Sequence, residues 1–224
     1  MGDFHLPRRR YMLIFWNHGG GSTSGVCFDE TADYDGLTIH EINDALYNFT
    51  EANPDFHLDL IGFDACLMAT YEAAAHMQYY ADFMVASEEL EPSLGWNYAW
   101  LNALGENPAL DAQGIGVAIA DAYMEACLDE NPDDYLSMSV LYLPAMDYLV
   151  STMETYASYL SQALDAGQLS TFSRARQRMY AFGDFDSATS DMVDMMALID
   201  GTRTIAPQTA DVLQTAYERV VRYN

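Results

Sequence analysis

Two side chains suited to acyl transfer, His18 and Cys66, each follow directly on a short apolar run and stand among small residues. The stretch "FWNHGGG" delivers an imidazole into glycines 19–21, and "LIGFDAC" delivers a thiol just after Asp64 and Ala65. Cysteine is intrinsically nucleophilic, and an imidazole within reach generates the thiolate or protonates a leaving amine. Gly19 has no side chain, so its N–H is open to a bound carbonyl. The Cys66 N–H is expected at the start of the helix that follows. Two such donors would make an oxyanion hole, in which removing one typically costs about 2.7–4 kcal/mol. Alone, either residue reads more simply as a turn histidine or a small buried thiol. The pair, each at the end of an apolar run, favours catalysis provided the two runs are neighbouring strands.

Other chemistries lack their parts. "HGGG" is also the oxyanion motif of lipases and esterases, but the nucleophile elbow G-x-S-x-G is absent, and "GFDAC" has Asp at its centre. The three cysteines, Cys27, Cys66 and Cys127, form no CxxC and leave an odd count, which excludes a disulfide framework or zinc ribbon. There is no HExxH, and His5, His40, His57 and His76 fall singly in separate segments, so no metal ligand set is expected. "GGGSTSG" lacks the lysine of a phosphate-binding loop.

These residues need a scaffold, and the chain is long enough to build one. Half of its 224 residues are hydrophobic, sufficient for one substantial core or a core with a helical annex. No apolar run approaches the roughly 20 residues that cross a bilayer. "MGDFHLPRRR" has charge but no apolar stretch, so no signal peptide is expected in this segment. The formal net charge is −25, there is no lysine, and residues 11–173 hold 26 acidic groups without one Lys or Arg. Such a body repels nucleic acid and anionic membrane and attracts cationic partners. Most of that charge reads as solubility or adaptation to salt, and a few carboxylates as function.

Residues 10–17 read as a strand buried on both faces. Residues 36–49 read as an amphipathic helix opened by a Thr38–Glu41 capping box. A second strand is expected over 57–66, running straight into a helix over 67–80, and a third over 82–89. A loop over 90–97 precedes helices near 97–104 and 111–128 and a last strand within 135–143. Beyond Pro144 the pattern is helical to the end, over 145–165, 169–181, 190–199 and 206–222. This alternation argues an α/β fold with a mostly parallel sheet covered on both faces. Residues 1–144 form its core, and 145–224 are expected as a helical part of the same domain or a small subdomain.

At "LIFWNHGGG" and "LIGFDACLMA", with "VASEELEPSLGWNY" (85–98), the sequence resembles the clostripain family of cysteine peptidases, within the caspase-like clan. The resemblance implies a caspase-like three-layer α/β/α sandwich, a His18–Cys66 dyad, an oxyanion hole from Gly19 and Cys66, and cleavage after basic residues of a protein or peptide. Asp64, two positions before the nucleophile, occupies the family's place for a carboxylate facing the substrate's basic side chain. On its own it also reads as an N-cap of the helix after Cys66. Glu88, Trp96 and Asn97 join Asp64 as substrate-binding candidates. Members often carry Asp where this chain has Asn97, a departure that either weakens the basic pocket or shifts the work to Glu88, Glu89 or Glu91. They usually carry a strand and helix before the histidine strand, so an incomplete N-terminal side is expected. The resemblance implies a secreted or cell-surface setting and, in some members, dependence on calcium; no other cofactor is expected. The competing reading is a truncated or degenerate caspase-like domain that binds without cleaving.

Overall fold

The computed structural model describes residues 10–183 and 192–224. In chain order it runs β1 (Met12–Trp16), α1 (Gly21–Ser24), β2 (Val26–Asp29), β3 (Asp35–Leu37), α2 (Ile39–Ala52), β4 (Leu58–Asp64), α3 (Tyr71–Met77) and β5 (Ala81–Ala86). A 3-10 turn (Tyr98–Trp100) leads to α4 (Leu101–Glu106), α5 (Ala112–Glu130) and β6 (Ser139–Tyr142). The remainder is α6 (Met146–Ala163), a π-helical turn (Leu164–Gln168), α7 (Leu169–Arg176), α8 (Met195–Thr202), α9 (Pro207–Val220) and β7 (Val221–Tyr223).

Among the described residues the main sheet has the order β1–β4–β5–β6–β7, and β2 pairs with β3 in a separate hairpin. β1, β4 and β5 run parallel, while β6 and β7 are antiparallel at the far side. Alternation along the strands divides the core between two faces. Ile61, Phe63, Met84 and Leu141 point to one side, against α2, α3, α6, α8 and α9. Leu60, Val85 and Val140 point to the other, against Trp96, Trp100 and the Ile115–Ile119–Tyr123 stripe of α5. The result is the three-layer α/β/α sandwich.

Local chemistry places most elements where the pattern expects them. Thr38 and Glu41 close a reciprocal capping box on α2, a device typically worth about 1 kcal/mol. Asp111 caps α5 and Asp194 caps α8.

Four expectations are corrected. β1 is half-buried rather than buried on both faces, because it is the edge of the described sheet. The hairpin β2–β3 was not legible as strands: it is short, only partly buried and shifts register between Val26 and Asp29. α3 begins at Tyr71, where Thr70 accepts the Ala73 N–H, and not directly after Cys66. The last helix stops at Val220, and Val221–Tyr223 pairs with β6 instead, its Tyr223 hydroxyl donating to Asp121 at 2.6 Å. That strand follows from β-branched and aromatic residues finding an open neighbour, which helical periodicity cannot announce. Residues 190 and 191 of the helix expected over 190–199 lie outside the described residues. No described helix is long and apolar enough to cross a membrane.

Candidate active site

β1 and β4 are direct neighbours, with Phe15 opposite Phe63 and Trp16 opposite Asp64. The condition on the two apolar runs is therefore met: their ends lie side by side, and His18 and Cys66 line one cleft of about 770 Å³. Phe15 and Phe63 stack at 5.3 Å between ring centroids, anchoring the two strand ends together. Beyond the strands, Cys27 N–H donates to the His18 carbonyl at 3.0 Å and Gly20 N–H to Gly25 at 2.8 Å. These two bonds flank the Gly19–Val26 bridge and leave the Gly19 N–H out of the ladder.

The thiol sits in a turn and not at a helix N-terminus. Cys66, five positions before α3 begins, and Leu67, at a left-handed φ of 65°, turn the chain. Sγ accepts the Glu91 N–H at 3.1 Å. Burial raises the thiol above its ordinary value; the Glu91 peptide opposes this, the Glu91 carboxyl adds to it, and the Cys66 and Gly19 amides lower it. The amides of Gly19 and Cys66 thus both lie near the sulfur. Burial thus favours the thiol over the thiolate, and the imidazole lining the same cleft is that of His18.

Gly19 makes this approach possible. A Cβ built at that position would stand 2.2 Å from the Cys66 carbonyl oxygen and 3.0 Å from its nitrogen, both backbone atoms that cannot rotate away. Gly19→Ala is therefore expected to push the two strand ends apart. It should lower the melting temperature by several degrees and turnover by about 100-fold or more, since a misplacement of about 1 Å alone can cost that much. Unchanged kinetics in that variant would mean the His18 and Cys66 segments do not meet in solution.

Asp64 does not cap α3. It is 3% exposed, and it accepts the Trp96 N–H at 2.9 Å and the Tyr98 hydroxyl at 3.0 Å. Burial raises its carboxyl despite those donors. Trp96 is core, its indole packed over Gly62, where a Cβ would meet the ring at 2.8 Å. Its contribution to the cleft is thus its backbone N–H. Asn97 is exposed and caps the 3-10 turn through the Ala99 N–H. Glu88 lies apart from Cys66, lining a second cavity of about 630 Å³ beneath α6 and α9. Glu89 is engaged by Tyr180 and Gly183.

Of the three glutamates, Glu91 is the one that lines the cleft with Asp64 and Cys66. Its carboxyl oxygens are buried beside Asp64, the Ala65 peptide and the Trp96 indole without closing a hydrogen bond of full geometry to any of them. Burial first, then the Asp64 charge, pushes Glu91 up to about 8. The fold therefore holds a proton that the unfolded chain gives up near 4.5. That stabilising contribution is complete below about pH 4.5 and is lost as pH rises through about 8. Glu91→Gln, neutral throughout, is expected to flatten the decline of melting temperature between about pH 5 and 8. An unchanged slope in thermal unfolding would show that the carboxyl is solvated.

Two placements escaped the sequence. Cys27, in a left-handed conformation at φ 62°, lines the same cleft as Cys66. His40 and His76, distant in sequence, meet edge to face at 5.1 Å. Among the described residues no group of three or more His, Cys, Asp or Glu is arranged to hold a metal ion.

The clostripain family model matches residues 3–224. Clostripain of Hathewaya histolytica is 34% identical over a stretch covering 40% of this chain and 19% of that protein. A secreted C11 cysteine protease from Bacteroides thetaiotaomicron, solved with an irreversible peptide inhibitor, aligns over 98% of this chain and 58% of its own, with a TM-score of 0.69 and 20% identity. An inactive zymogen C11 protease from Parabacteroides distasonis aligns over 97% of this chain and 56% of its own, at TM-score 0.63 and 18% identity. The chain thus spans about a fifth of the first relative and little more than half of either structure. At such identities the two structures speak for the fold, and the family model, matching from residue 3 to the last, speaks for descent. By that match, the chain belongs to the clostripain family.

Proposed function

We propose that this chain carries the active site of a cysteine endopeptidase that cleaves after basic residues. The observation that carries the reading is the close approach of Gly19 to Cys66, beside which an imidazole-bearing strand end and a thiol share one cleft. Cys66 Sγ attacks the scissile carbonyl carbon while His18 takes the thiol proton. The Gly19 and Cys66 N–H groups hold the oxyanion. His18 then returns the proton to the leaving amine, and the C–N bond breaks to give a thioester. Water, deprotonated by His18, hydrolyses the thioester and restores the thiol.

Asp64, with Glu91 buried beside it in that cleft, is the carboxylate that receives the basic side chain, and the acidic, lysine-free body draws cations toward it. A secreted or cell-surface setting fits this reading, in keeping with the secreted relative.

Labelling tests the assignment. A thiol-reactive peptide electrophile ending in arginine is expected to modify Cys66 and spare Cys127, which is buried and pushed up to about 11. Cys27 shares the cleft, so the labelled peptide is identified by mass, and Cys27→Ala is expected to label fully. Equal or absent labelling would favour a domain that binds without cleaving.

A further inference from the structure

Trp16 is 72% exposed, an unusual setting for an indole at the mouth of a cleft, whereas Trp96 and Trp100 are each 4% exposed. Its direction is fixed by the strand. Phe15 belongs to the face that packs against α2, so Trp16, the next residue, belongs to the opposite face, with Ile14 and Gly62. On that face its register partner is Asp64, one strand spacing away, and both line the cleft that holds Cys66. A cation approaching Asp64 therefore has a carboxylate ahead of it and an indole beside it, with the Glu91–Gly95 loop opposite.

We infer that Trp16 is a specificity-determining residue, the aromatic wall of the basic pocket, and that it selects arginine over lysine. This rests on the proposed peptidase reading and sharpens it. A guanidinium is planar and weakly hydrated. It stacks on an aromatic face while its edge makes paired hydrogen bonds to a carboxylate. A lysine ammonium is a compact, strongly hydrated point charge that gains less from the same wall. An exposed indole also explains itself in this role, since it is covered only when substrate arrives.

The experiment uses Cys66→Ala protein and two probes of equal charge at the tip, agmatine for the guanidinium and cadaverine for the ammonium. Trp16 is the accessible tryptophan, so acrylamide quenching reads its exposure. Agmatine is expected to shield Trp16 from quenching and cadaverine to shield it less. Asp64→Asn should abolish both effects. In the active protein, Trp16→Ala is expected to lower kcat/KM for arginyl substrates roughly five- to thirtyfold. Lysyl substrates should lose much less, so the Arg-to-Lys ratio falls. Trp16→Phe, which keeps a ring, should retain part of the preference and guards against a folding artefact. Equal losses on both substrates, agmatine binding that needs Asp64 but not Trp16, or a Trp16 already shielded in the free protein would each overturn the inference while leaving the pocket reading intact. No agmatine binding at all, with arginyl substrates still cleaved, would overturn the pocket reading and this inference together.

Discussion

Cys66→Ala is expected to abolish peptide hydrolysis while leaving the fold unchanged. The loss should reach several orders of magnitude, on the scale of ~10⁴- to 10⁶-fold, because a nucleophile removed from a concerted set takes most of the chemistry with it. The structural cost is small: Cys66 is only part-buried, and its turn is held by backbone bonds, Leu67 N–H to Glu89 and Ala69 N–H to Ser87, which alanine preserves. The thiol's bond from the Glu91 N–H is lost, and that amide borders the cleft. Far-UV circular dichroism and thermal unfolding check the fold, and turnover of an arginyl amide checks the chemistry. Wild-type turnover in the alanine variant would sink the assignment. Cys27→Ala and Cys127→Ala are expected to keep turnover. Cys127→Ala should lose some stability, because that side chain, on the buried face of α5, is packed in the core.

Asp64→Asn carries the second large effect. A hydrogen bond to a charged group in a desolvated site is typically worth about 1.5–3 kcal/mol, so kcat/KM for an arginyl substrate should fall roughly ten- to hundredfold. Asparagine keeps an acceptor for the Trp96 N–H, so the loop from Gly95 to Tyr98 should stay in place. Tyr98, held up to about 12 by burial and the Asp64 charge, should titrate lower in the variant. Reaction of Cys66 with a small neutral alkylating agent is expected to stay near its wild-type rate. If arginyl cleavage and neutral alkylation fall together, Asp64 holds the loop and the nucleophile's surroundings, and the basic pocket lies elsewhere.

What the residues alone determined about this protein is local. Apolar runs ending in His18 and Cys66, the Thr38–Glu41 box and the stripe of α5 are written in neighbouring residues, and each depends on sterics and hydrogen bonds within one turn or strand. From them follow the α/β class and the two strand ends where chemistry gathers. Glycine after histidine was equally legible as bare backbone with an open N–H, a space beside the histidine. What filled that space was not: the clash that Gly19 avoids is with Cys66, 47 positions away.

Tertiary structure decided the rest. It separated Glu88 from the cleft and brought Glu91 into it, though the two stand three residues apart. Loop direction is set by distant partners, here Ser137, which binds the Glu88 and Glu89 amides, and Asp64, which holds Trp96. It turned the tail from a helix into β7 because β6 offered an unpaired edge. It also moved the start of α3 away from Cys66, so that the Cys66 amide belongs to a turn. Periodicity records which face of an element is apolar; it contains nothing about which face of another element will cover it, and a site assembled from β1, β4 and the loop after β5 exists only once that covering is made.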